Sequence, residues 1–251
     1  MEVSNPFICP LHRQRYYEAL LHIKKINPEF VIDLGCSNCD FIFYILQNPG
    51  DLKFIVGVDN DLASLRNGNK ILSNCKNATY NDSHDFYVFL QKEDISEFSE
   101  NFINQYRCCP FITMLEVIEH LDAACVDKAV VQIFELLSPT FIFLTTPNIE
   151  YNYVLEKFFG KRNSKFRHPD HKFEWTRKEF FSWCSWICET YEYAVDVGGI
   201  GKIFDGNDND DSFGYASHSA LFTKLPQIQK VFKHPVNSQY SIVLEIENEE
   251  E

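Results

Sequence analysis

The chain has 251 residues, enough for one large domain or a domain with an appendage, and its 45% hydrophobic residues can build a sizeable core. The formal charge of −13 argues against broad nucleic-acid binding, and the absence of any run of about 18 apolar residues predicts no membrane span. No secretory signal is visible, so the expected location is cytoplasmic and the nine cysteines are expected to be reduced thiols, mostly buried.

The first predicted helix runs from Arg13 to Lys25, because Pro10 stands where a helix can start. One interpretation makes this helix a cap over a sheet edge. The other makes it a lid in which Arg15 is available to a phosphate. The residues alone favour the cap.

A strand–turn–helix–strand unit follows. An apolar strand over Phe30–Gly35 leads through the turn Cys36–Asp40 to a helix over Phe41–Gln47, and a second apolar strand, Lys53–Asp59, ends in an acid. An acid at this point accepts hydrogen bonds from ribose hydroxyls, and the turn backbone approaches the ligand closely. The unit therefore predicts a nucleoside-binding half-fold.

The turn departs from the dinucleotide fingerprint, because Gly35 is its only glycine and Ser37 and Cys39 stand where further small residues are expected. A pyrophosphate site is therefore poorly supported, and a ligand with ribose but no pyrophosphate, such as S-adenosylmethionine, fits better. The same turn contains the spacing Cys36-x-x-Cys39, which also occurs in redox dithiols. The redox interpretation is disfavoured, because such a unit does not need the acid at the tip of the next strand.

Alternating elements continue through the middle of the chain. Their predicted bounds are a helix from Asp61 to Leu72, a loop over Asn74–His84, a strand over Phe86–Leu90, a helix over Ser96–Tyr106, a strand over Pro110–Thr113, a helix over Leu121–Leu137 and a strand over Phe141–Thr146. Asp94 follows the third strand, where it either contacts an adenine amino group or is an exposed loop acid.

Three potential metal ligands follow the fourth strand. Glu116, Glu119 and His120 have the spacing i, i+3, i+4, which places them on one face of a helix. Two carboxylates and an imidazole at the C-terminal end of a strand make three-quarters of a divalent metal site. The competing interpretation is a solvated acidic first turn, where carboxylates are favoured anyway.

The last part of the chain adds a basic stretch and further elements. The predictions are a helix over Asn152–Gly160, a mobile basic stretch over Lys161–Asp170, a helix from the N-cap Thr176 through Glu189 with Glu179 completing a capping box, strands over Tyr193–Gly198, Ser217–Thr223 and Asn237–Ile246, and a flexible loop over Gly198–Gly201. The acidic residues between 205 and 211 are interpreted as a solvated loop. A small basic site on an acidic chain is compatible with binding the end of one nucleic-acid strand.

These elements predict an α/β fold with a mostly parallel sheet and helices on both faces. Ligands bind such sheets beyond the C-terminal ends of the strands. The turn at Asp33–Gly35, together with Asp59, Asp94 and Glu116, is therefore expected to share one rim.

Three segments resemble the small-RNA 3′-terminal 2′-O-methyltransferases, which modify plant microRNAs and animal piwi-interacting RNAs. The segments are Glu116-Val117-Ile118-Glu119-His120, Asp170-His171-Lys172-Phe173-Glu174-Trp175-Thr176-Arg177 and Phe7-x-x-Pro10-Leu11-x-x-Gln14-Arg15, within a likeness over roughly residues 6 to 223. The chain departs from the family at Cys9, where a second proline is usual, and at Ser37, where a second glycine is frequent.

The resemblance implies a Rossmann-like class I methyltransferase fold. The implied reaction moves a methyl group from S-adenosylmethionine to the 2′-hydroxyl of the 3′-terminal nucleotide of a small single-stranded RNA of the piwi-interacting type. A terminal ribose with free 2′- and 3′-hydroxyls can chelate one cation, Mg²⁺ or Mn²⁺, which lowers the pKa of the 2′-hydroxyl. The implied metal ligands are Glu116, Glu119, His120 and His171, with His168 as the rival of His171.

The remaining site predictions combine these motifs with the local charge. The cofactor-binding residues are expected to be Asp33, Gly35, Ser37, Asn38, Cys39, Asp59 and Asp94. The RNA-binding residues are expected to be Arg15, Lys161, Arg162, Lys165 and Arg167. The RNA 3′ end is expected to be presented by an Argonaute/Piwi-type protein.

The expected organisation is an N-terminal lid or cap at 1–28, a methyltransferase domain at 29–225 with an RNA-end-binding insert at 150–177, and an edge strand with an acidic tail at 226–251.

Two other classes of function compete with this one. A metal-dependent hydrolase would use the carboxylate–histidine cluster to activate water, and binding of S-adenosylmethionine would discriminate against it. A non-catalytic RNA-end-binding module would keep the basic stretch without needing the metal cluster. The nucleoside-binding half-fold counts against the first, and the presence of all four ligand types counts against the second.

Overall fold

A computed structural model of the chain describes residues 7, 9–47, 49–79, 86–160, 164–203 and 212–226. Within these residues seven strands form one sheet: Phe30–Leu34 (β1), Phe54–Asp59 (β2), Tyr87–Lys92 (β3), Phe111–Leu115 (β4), Phe141–Pro147 (β5), Tyr193–Ile200 (β6) and Ser217–Lys224 (β7). The same residues contain the α-helices Leu11–Ile26 (α1), Asp40–Leu46 (α2), Leu62–Thr79 (α3), Glu100–Tyr106 (α4), Ala123–Val130 (α5), Asn152–Phe159 (α6) and Arg177–Tyr191 (α7). A π-helix, Val131–Leu137, continues α5, and short 3-10 helices cover Ile118–His120 and Ile149–Tyr151.

The strand order is β3-β2-β1-β4-β5-β7-β6. The first five strands pair in parallel, and β7 runs antiparallel to both of its neighbours, β5 and β6. The predicted α/β fold with a mostly parallel sheet is therefore confirmed. Because the order reverses between β1 and β4, a crevice opens beyond their C-terminal ends, where ligands bind in this architecture.

Helices cover both faces of the sheet. Val31 and Ile55 contribute to a core shared with α1, α2 and α3, whereas the next residues, Ile32 and Val56, contribute to a core shared with α4, α5 and α7. Both faces being buried explains why the strands read as continuous apolar runs rather than alternating ones. None of the helices in the described ranges is long and apolar enough to cross a membrane.

Some predicted boundaries were wrong. The predicted loop at Asn74–His84 begins inside α3, which continues to Thr79. The predicted loop at Gly198–Gly201 is mostly part of β6, because its residues pair with β7 through Ile200. The predicted strand Asn237–Ile246 and the acidic loop at 205–211 lie outside the described residues.

The start of α7 was predicted correctly. Thr176 is the N-cap, its hydroxyl accepts a hydrogen bond from the Glu179 backbone, and the Glu179 side chain accepts one from the Thr176 backbone. This capping box satisfies two N–H groups that would otherwise lack partners at the helix end. It thereby fixes the residues that precede α7, which matter for the site.

Asp33 occupies the interior of the sheet, between β2 and β4. Its side chain is 3% exposed, and the Thr113 hydroxyl donates a 2.7 Å hydrogen bond to its Oδ1. Loss of solvation raises the pKa of Asp33 to about 7, against the opposing effect of the Thr113 hydrogen bond. Asp33 is therefore largely a buried neutral acid below that pH.

Replacing Asp33 by asparagine should flatten the dependence of stability on pH. The unfolded chain releases the Asp33 proton near its ordinary pKa of 3.8, while the folded chain holds it to about pH 7. The parent should therefore lose roughly 2 to 3 kcal/mol of unfolding free energy relative to Asp33→Asn between pH 5 and pH 8. Urea unfolding of both proteins at the two pH values checks this. Parallel pH profiles would show that Asp33 is ionised in the fold.

Candidate functional site

A cavity of about 340 Å³ lies beyond the C-terminal ends of β1, β2, β3 and β4. We call it the strand-end cavity, defined by Gly35, Ser37, Asp59, Glu116 and His120 among its lining residues. Of the residues predicted to share one rim, Gly35, Asp59 and Glu116 line this cavity, and Asp33 and Asp94 do not. The lining also includes Ser37, which was predicted to bind the cofactor. The cavity therefore forms where an α/β sheet binds its ligand.

The turn after β1 is shaped by backbone contacts around Asp59. The Ser37 backbone N–H donates to Asp59 Oδ2 at 2.8 Å, and the Asp61 backbone N–H donates to Asp59 Oδ1 at 2.9 Å. Gly35 has φ +74°, and a Cβ there would lie 2.5 Å from a methyl group of Val117. A side chain at Gly35 would thus be strained and would collide with the wall of the cavity.

Four of the predicted cofactor-binding residues do not line the cavity. The partners of each account for this: Asp33 is buried with Thr113, Asn38 accepts a 3.0 Å hydrogen bond from Asn67, Cys39 is fully buried, and Asp94 accepts hydrogen bonds from the backbone and hydroxyl of Ser96. Asp33 and Cys39 are buried, whereas Asp94 is exposed and lies outside the cavity lining.

The two neighbours of Asp94, Glu93 and Ile95, both line the cavity. Both carboxylate oxygens of Glu93 accept hydrogen bonds from Ser99, one from its backbone and one from its hydroxyl. Asn60, Val117 and Leu121 also line the cavity and were not predicted.

The thiols of the turn do not resemble a redox pair. A hydrogen bond between the Cys36 and Cys39 side chains, and then burial, raise the pKa of Cys36. Reactive dithiols instead have a lowered pKa. The disfavoured redox interpretation of Cys36-x-x-Cys39 gains no support.

Next to the strand-end cavity lies a second group of polar side chains, Glu119, His120 and His171. One ligand atom from each lies within 4.8 Å of the other two. We call these three residues the ligand cluster. Because His120 also lines the strand-end cavity, the cluster and the cavity adjoin each other.

Glu119 is the buried member of the ligand cluster. Its side chain is 0% exposed, and Thr146 Oγ1 donates a 3.1 Å hydrogen bond to its Oε2. Its Oε1 is buried and has no hydrogen-bond partner in the described part of the chain. Burial, and then the nearby charge of Glu116, raise the pKa of Glu119 well above its ordinary value. A cation at Oε1 would offset this cost.

His171 is oriented by a residue that the sequence analysis did not assign. The His171 Nδ1 lies 2.6 Å from Glu174 Oε1, and both side chains are buried. The Lys172 backbone N–H donates to the Glu119 carbonyl at 2.7 Å, which ties this segment to the ligand cluster. A carboxylate that accepts the Nδ1 proton leaves Nε2 as the free ligand atom. The i, i+3 spacing of His171 and Glu174 is the sequence feature that could have indicated this contact.

Glu174 is itself held in its charged form. Although burial raises its pKa, hydrogen bonds from His171, from the Arg167 backbone and from Asn152 together hold the pKa of Glu174 below its ordinary value. The Arg167 N–H and the Asn152 side chain each donate at 2.5 Å. A charged, fixed carboxylate behind His171 makes the ring a better ligand.

His168 is placed differently from His171. The ring centroids of His120 and His171 are 4.9 Å apart, whereas those of His120 and His168 are 6.2 Å apart. The side chain of His168 is 54% exposed and lies 3.6 Å from Asp170. Of the two rivals, the structure brings His171 into the ligand cluster.

Glu116 does not join the ligand cluster, and the predicted single helical face is wrong. Glu116 has φ +58°, outside any helix, and only Ile118–His120 form a 3-10 turn. Its Oε2 lies 3.4 Å from Nη1 of Arg15. The ion pair engages Oε2, whereas Glu116 Oε1 is buried and has no hydrogen-bond partner in the described residues, so Glu116 stays a predicted fourth ligand next to the cluster.

Arg15 is therefore not a free phosphate ligand in this structure. Its side chain is 14% exposed, and Nη1 also donates a 3.4 Å hydrogen bond to the Ser217 hydroxyl. The helix that carries it buries Ala19, Leu20 and Ile23 against the sheet, as a cap does. Arg15 instead neutralises Glu116 beside the ligand cluster.

The other predicted RNA-binding residues differ in their surroundings. The guanidinium of Arg167 donates to the carbonyl oxygens of Asn148 and Ala216 and to Asn152 Oδ1, so it is committed to contacts within the protein and is not presented to RNA. Lys165 is exposed. Lys161 and Arg162 lie outside the described residues.

The donor set fits a divalent cation. Two imidazole rings and an unsatisfied carboxylate oxygen suit Mn²⁺, Fe²⁺, Co²⁺ or Zn²⁺ better than Mg²⁺. Burial, and then the neighbouring His171 and His168, lower the pKa of His120. The neutral ring that results is the form that binds a metal.

Comparison with known proteins identifies the class and then the family. The sheet order and the strand-end cavity are those of the S-adenosylmethionine-dependent methyltransferase fold. A small RNA 2′-O-methyltransferase of Xenopus tropicalis is 31% identical over 229 residues, which are 87% of this chain and 56% of that protein. The crystal structure of the small RNA methyltransferase HEN1 matches with a TM-score of 0.76 at 30% identity, covering 89% of this chain and 27% of that one.

The methyltransferase domain of bacterial CtHen1 matches with a TM-score of 0.67 at 28% identity, covering 85% of this chain and 99% of that one. No family model matches the chain. The chain belongs to the small RNA 2′-O-methyltransferase family, as the sequence motifs indicated. It spans just over half the length of the Xenopus relative.

Replacing Glu174 by glutamine should weaken binding of Mn²⁺ by roughly tenfold or more, because the ring of His171 loses its charged partner. Calorimetric titration with Mn²⁺ measures the effect. Asp170→Asn is the matched control, since Asp170 is 75% exposed and pairs with His168 rather than His171. Equal affinity in the Glu174 variant and the parent would show that Glu174 does not orient a metal ligand.

Proposed function

We propose that this chain transfers the methyl group of S-adenosylmethionine to the 2′-hydroxyl of the 3′-terminal nucleotide of a small single-stranded RNA. One divalent cation, Mg²⁺ or Mn²⁺, would be held by Glu119, His120 and His171, with Glu116 as the fourth ligand through its unpartnered Oε1. The observation that carries the proposal is that the strand-end cavity and the ligand cluster share His120. A methyl donor in the first and a ribose at the second would therefore meet.

The strand-end cavity offers the groups that S-adenosylmethionine requires. Asp59 can accept hydrogen bonds from the ribose hydroxyls of the cofactor, and each of its oxygens keeps a free lone pair after binding the turn backbone. Ile95, Val117 and Leu121 supply an apolar surface for the base. Ligands of α/β sheets bind beyond the C-terminal ends of the strands, which is where this cavity lies, and this supports the proposal.

The ligand cluster offers the groups that position the acceptor. When bound, the cation supplies electrostatic stabilisation to a ribose hydroxyl as that hydroxyl loses its proton, and it fixes the ribose. The residues of the chain hold that geometry: Glu174 orients His171, and Arg15 keeps Glu116 at the wall shared with the cavity. Methyl transfer is then mainly a matter of positioning the two reactants.

The remaining parts of the proposal rest on the family resemblance. The RNA would be of the piwi-interacting type, would be presented by an Argonaute/Piwi-type protein, and would be methylated in the cytoplasm. Lys161, Arg162 and Lys165 would contact its phosphates.

Replacing Asp59 by alanine should weaken the binding of S-adenosylmethionine by about 1–3 kcal/mol, because the ribose hydroxyls lose their acceptor. Calorimetry with S-adenosylhomocysteine gives the same information without turnover. Asp94→Ala is the control, because Asp94 is bonded to Ser96 and does not line the cavity. Loss of affinity in the control but not in Asp59→Ala would place the ribose elsewhere.

Replacing His171 by alanine should abolish methyl incorporation into RNA with a free 3′ end while leaving the affinity for S-adenosylmethionine nearly intact. The reason is that His171 belongs to the ligand cluster and not to the lining of the strand-end cavity. His168→Ala, the same change three residues away, should retain most activity. The assay uses labelled S-adenosylmethionine with added Mg²⁺ or Mn²⁺. Full activity of the His171 variant would exclude the proposed acceptor site.

A further inference from the structure

Two lysine–aromatic pairs lie on the surface near the ligand cluster. The Nζ of Lys157 is 4.6 Å from the centre of the Tyr153 ring, and the Nζ of Lys165 is 5.0 Å from the centre of the Phe166 ring. Both lysines are exposed, and Tyr153 is 55% exposed. We call these four residues the α6 surface, because Tyr153 and Lys157 belong to α6.

Residues adjacent in the sequence to each pair are hydrogen-bonded to Glu174, the residue that orients His171. Asn152, which directly precedes Tyr153, donates to Glu174 Oε2 at 2.5 Å. Arg167, which directly follows Phe166, donates its backbone N–H to Glu174 Oε1 at 2.5 Å. The Arg167 side chain also donates to Asn152 Oδ1 at 3.2 Å, which joins the two segments. The backbone that carries each pair is therefore tied to Glu174 through an adjacent residue.

The chemistry of the α6 surface suits one kind of partner. Tyr153 is exposed and contacts Phe213 with 5.2 Å between ring centres, and Phe166 is half-buried. Stacking of a flat base on these rings would remove their remaining exposed surface from water. The lysines supply local positive charge on a chain of formal charge −13. Single-stranded nucleic acid offers free base faces and a phosphate backbone together, whereas a duplex keeps its base faces stacked inside.

We propose that the α6 surface binds the nucleotides immediately 5′ of the terminal nucleotide. Bases stack on Tyr153 and Phe166, and the phosphates lie beside Lys157 and Lys165. The inference rests on the proposed function, since the terminal ribose must occupy the ligand cluster. It gives a role to the exposed ring of Tyr153.

The test measures binding of a 5′-fluorescein-labelled single-stranded RNA of about 12 nucleotides by anisotropy, with S-adenosylhomocysteine and Mn²⁺ present. Tyr153→Ala should bind about fivefold more weakly or worse, because base–aromatic stacking is lost, and its dependence on salt should not change. Tyr153→Phe should bind like the parent. Lys157→Ala combined with Lys165→Ala should flatten the plot of log K against log salt by about 1.4, or about 0.7 for each lost phosphate contact.

Tyr87→Ala is the matched control. Tyr87 is 54% exposed, nearly as much as Tyr153, but lies on β3 at the opposite edge of the sheet from β6. Its RNA affinity should equal that of the parent. The thermal midpoint of each variant, compared with the parent, excludes loss of the fold as the cause.

Two outcomes overturn the inference. One is that Tyr153→Ala and Tyr87→Ala bind RNA equally. The other is that RNA binds the parent and Tyr153→Ala equally while an acidic peptide binds the parent but not Tyr153→Ala, which would assign the surface to a protein partner. Failure of the proposed function would look different: the parent itself would transfer no methyl group to the RNA, whatever the affinities of the variants.

Discussion

A carboxylate that is removed from water must regain its lost solvation from the protein or from a bound cation, and Glu119 regains little of it. Thr146 satisfies one oxygen, while the other is buried without a partner in the described residues. The charge of Glu116 nearby adds to the cost, as the raised pKa of Glu119 shows. Ligand atoms of two imidazole rings lie within 4.8 Å of the Glu119 carboxylate, so a cation held by all three would offset this cost.

The neighbouring charges decide where a cation is needed. Arg15 pairs with Glu116, so that carboxylate already has a positive partner. Glu174 is occupied by His171, Asn152 and the Arg167 backbone, so it supports the ring and does not compete for an ion. Two carboxylate oxygens of the site then remain buried without a hydrogen-bond partner in the described residues, Glu116 Oε1 and Glu119 Oε1. A cation would therefore offset buried negative charge next to the strand-end cavity, where the fold binds its ligand.

The sheet could be predicted from the sequence because buried parallel strands are continuous apolar runs separated by helices. The position of the strand-end cavity could also be predicted, because parallel strands bring their C-terminal ends to one edge of the sheet. The ion pair of Arg15 and Glu116 could not be predicted, because it joins residues 101 positions apart through the packing of α1 on the sheet. Neither could the orientation of Glu116, which depends on a left-handed backbone conformation that a non-glycine residue rarely adopts. Asp33 stands at a strand end, and only its pairing with both β2 and β4 shows that it is buried.

The central claim is that the cation site and the methyl-donor site share the wall formed by His120. The direct measurement is the ¹³C line width of methyl-labelled S-adenosylmethionine bound to the protein, with Mn²⁺ and with diamagnetic Mg²⁺ in turn. Paramagnetic relaxation falls steeply with distance, so adjoining sites predict severe broadening of the methyl resonance with Mn²⁺ and a narrow line with Mg²⁺. Equal line widths, with both ligands bound, would place the two sites far apart and contradict the account.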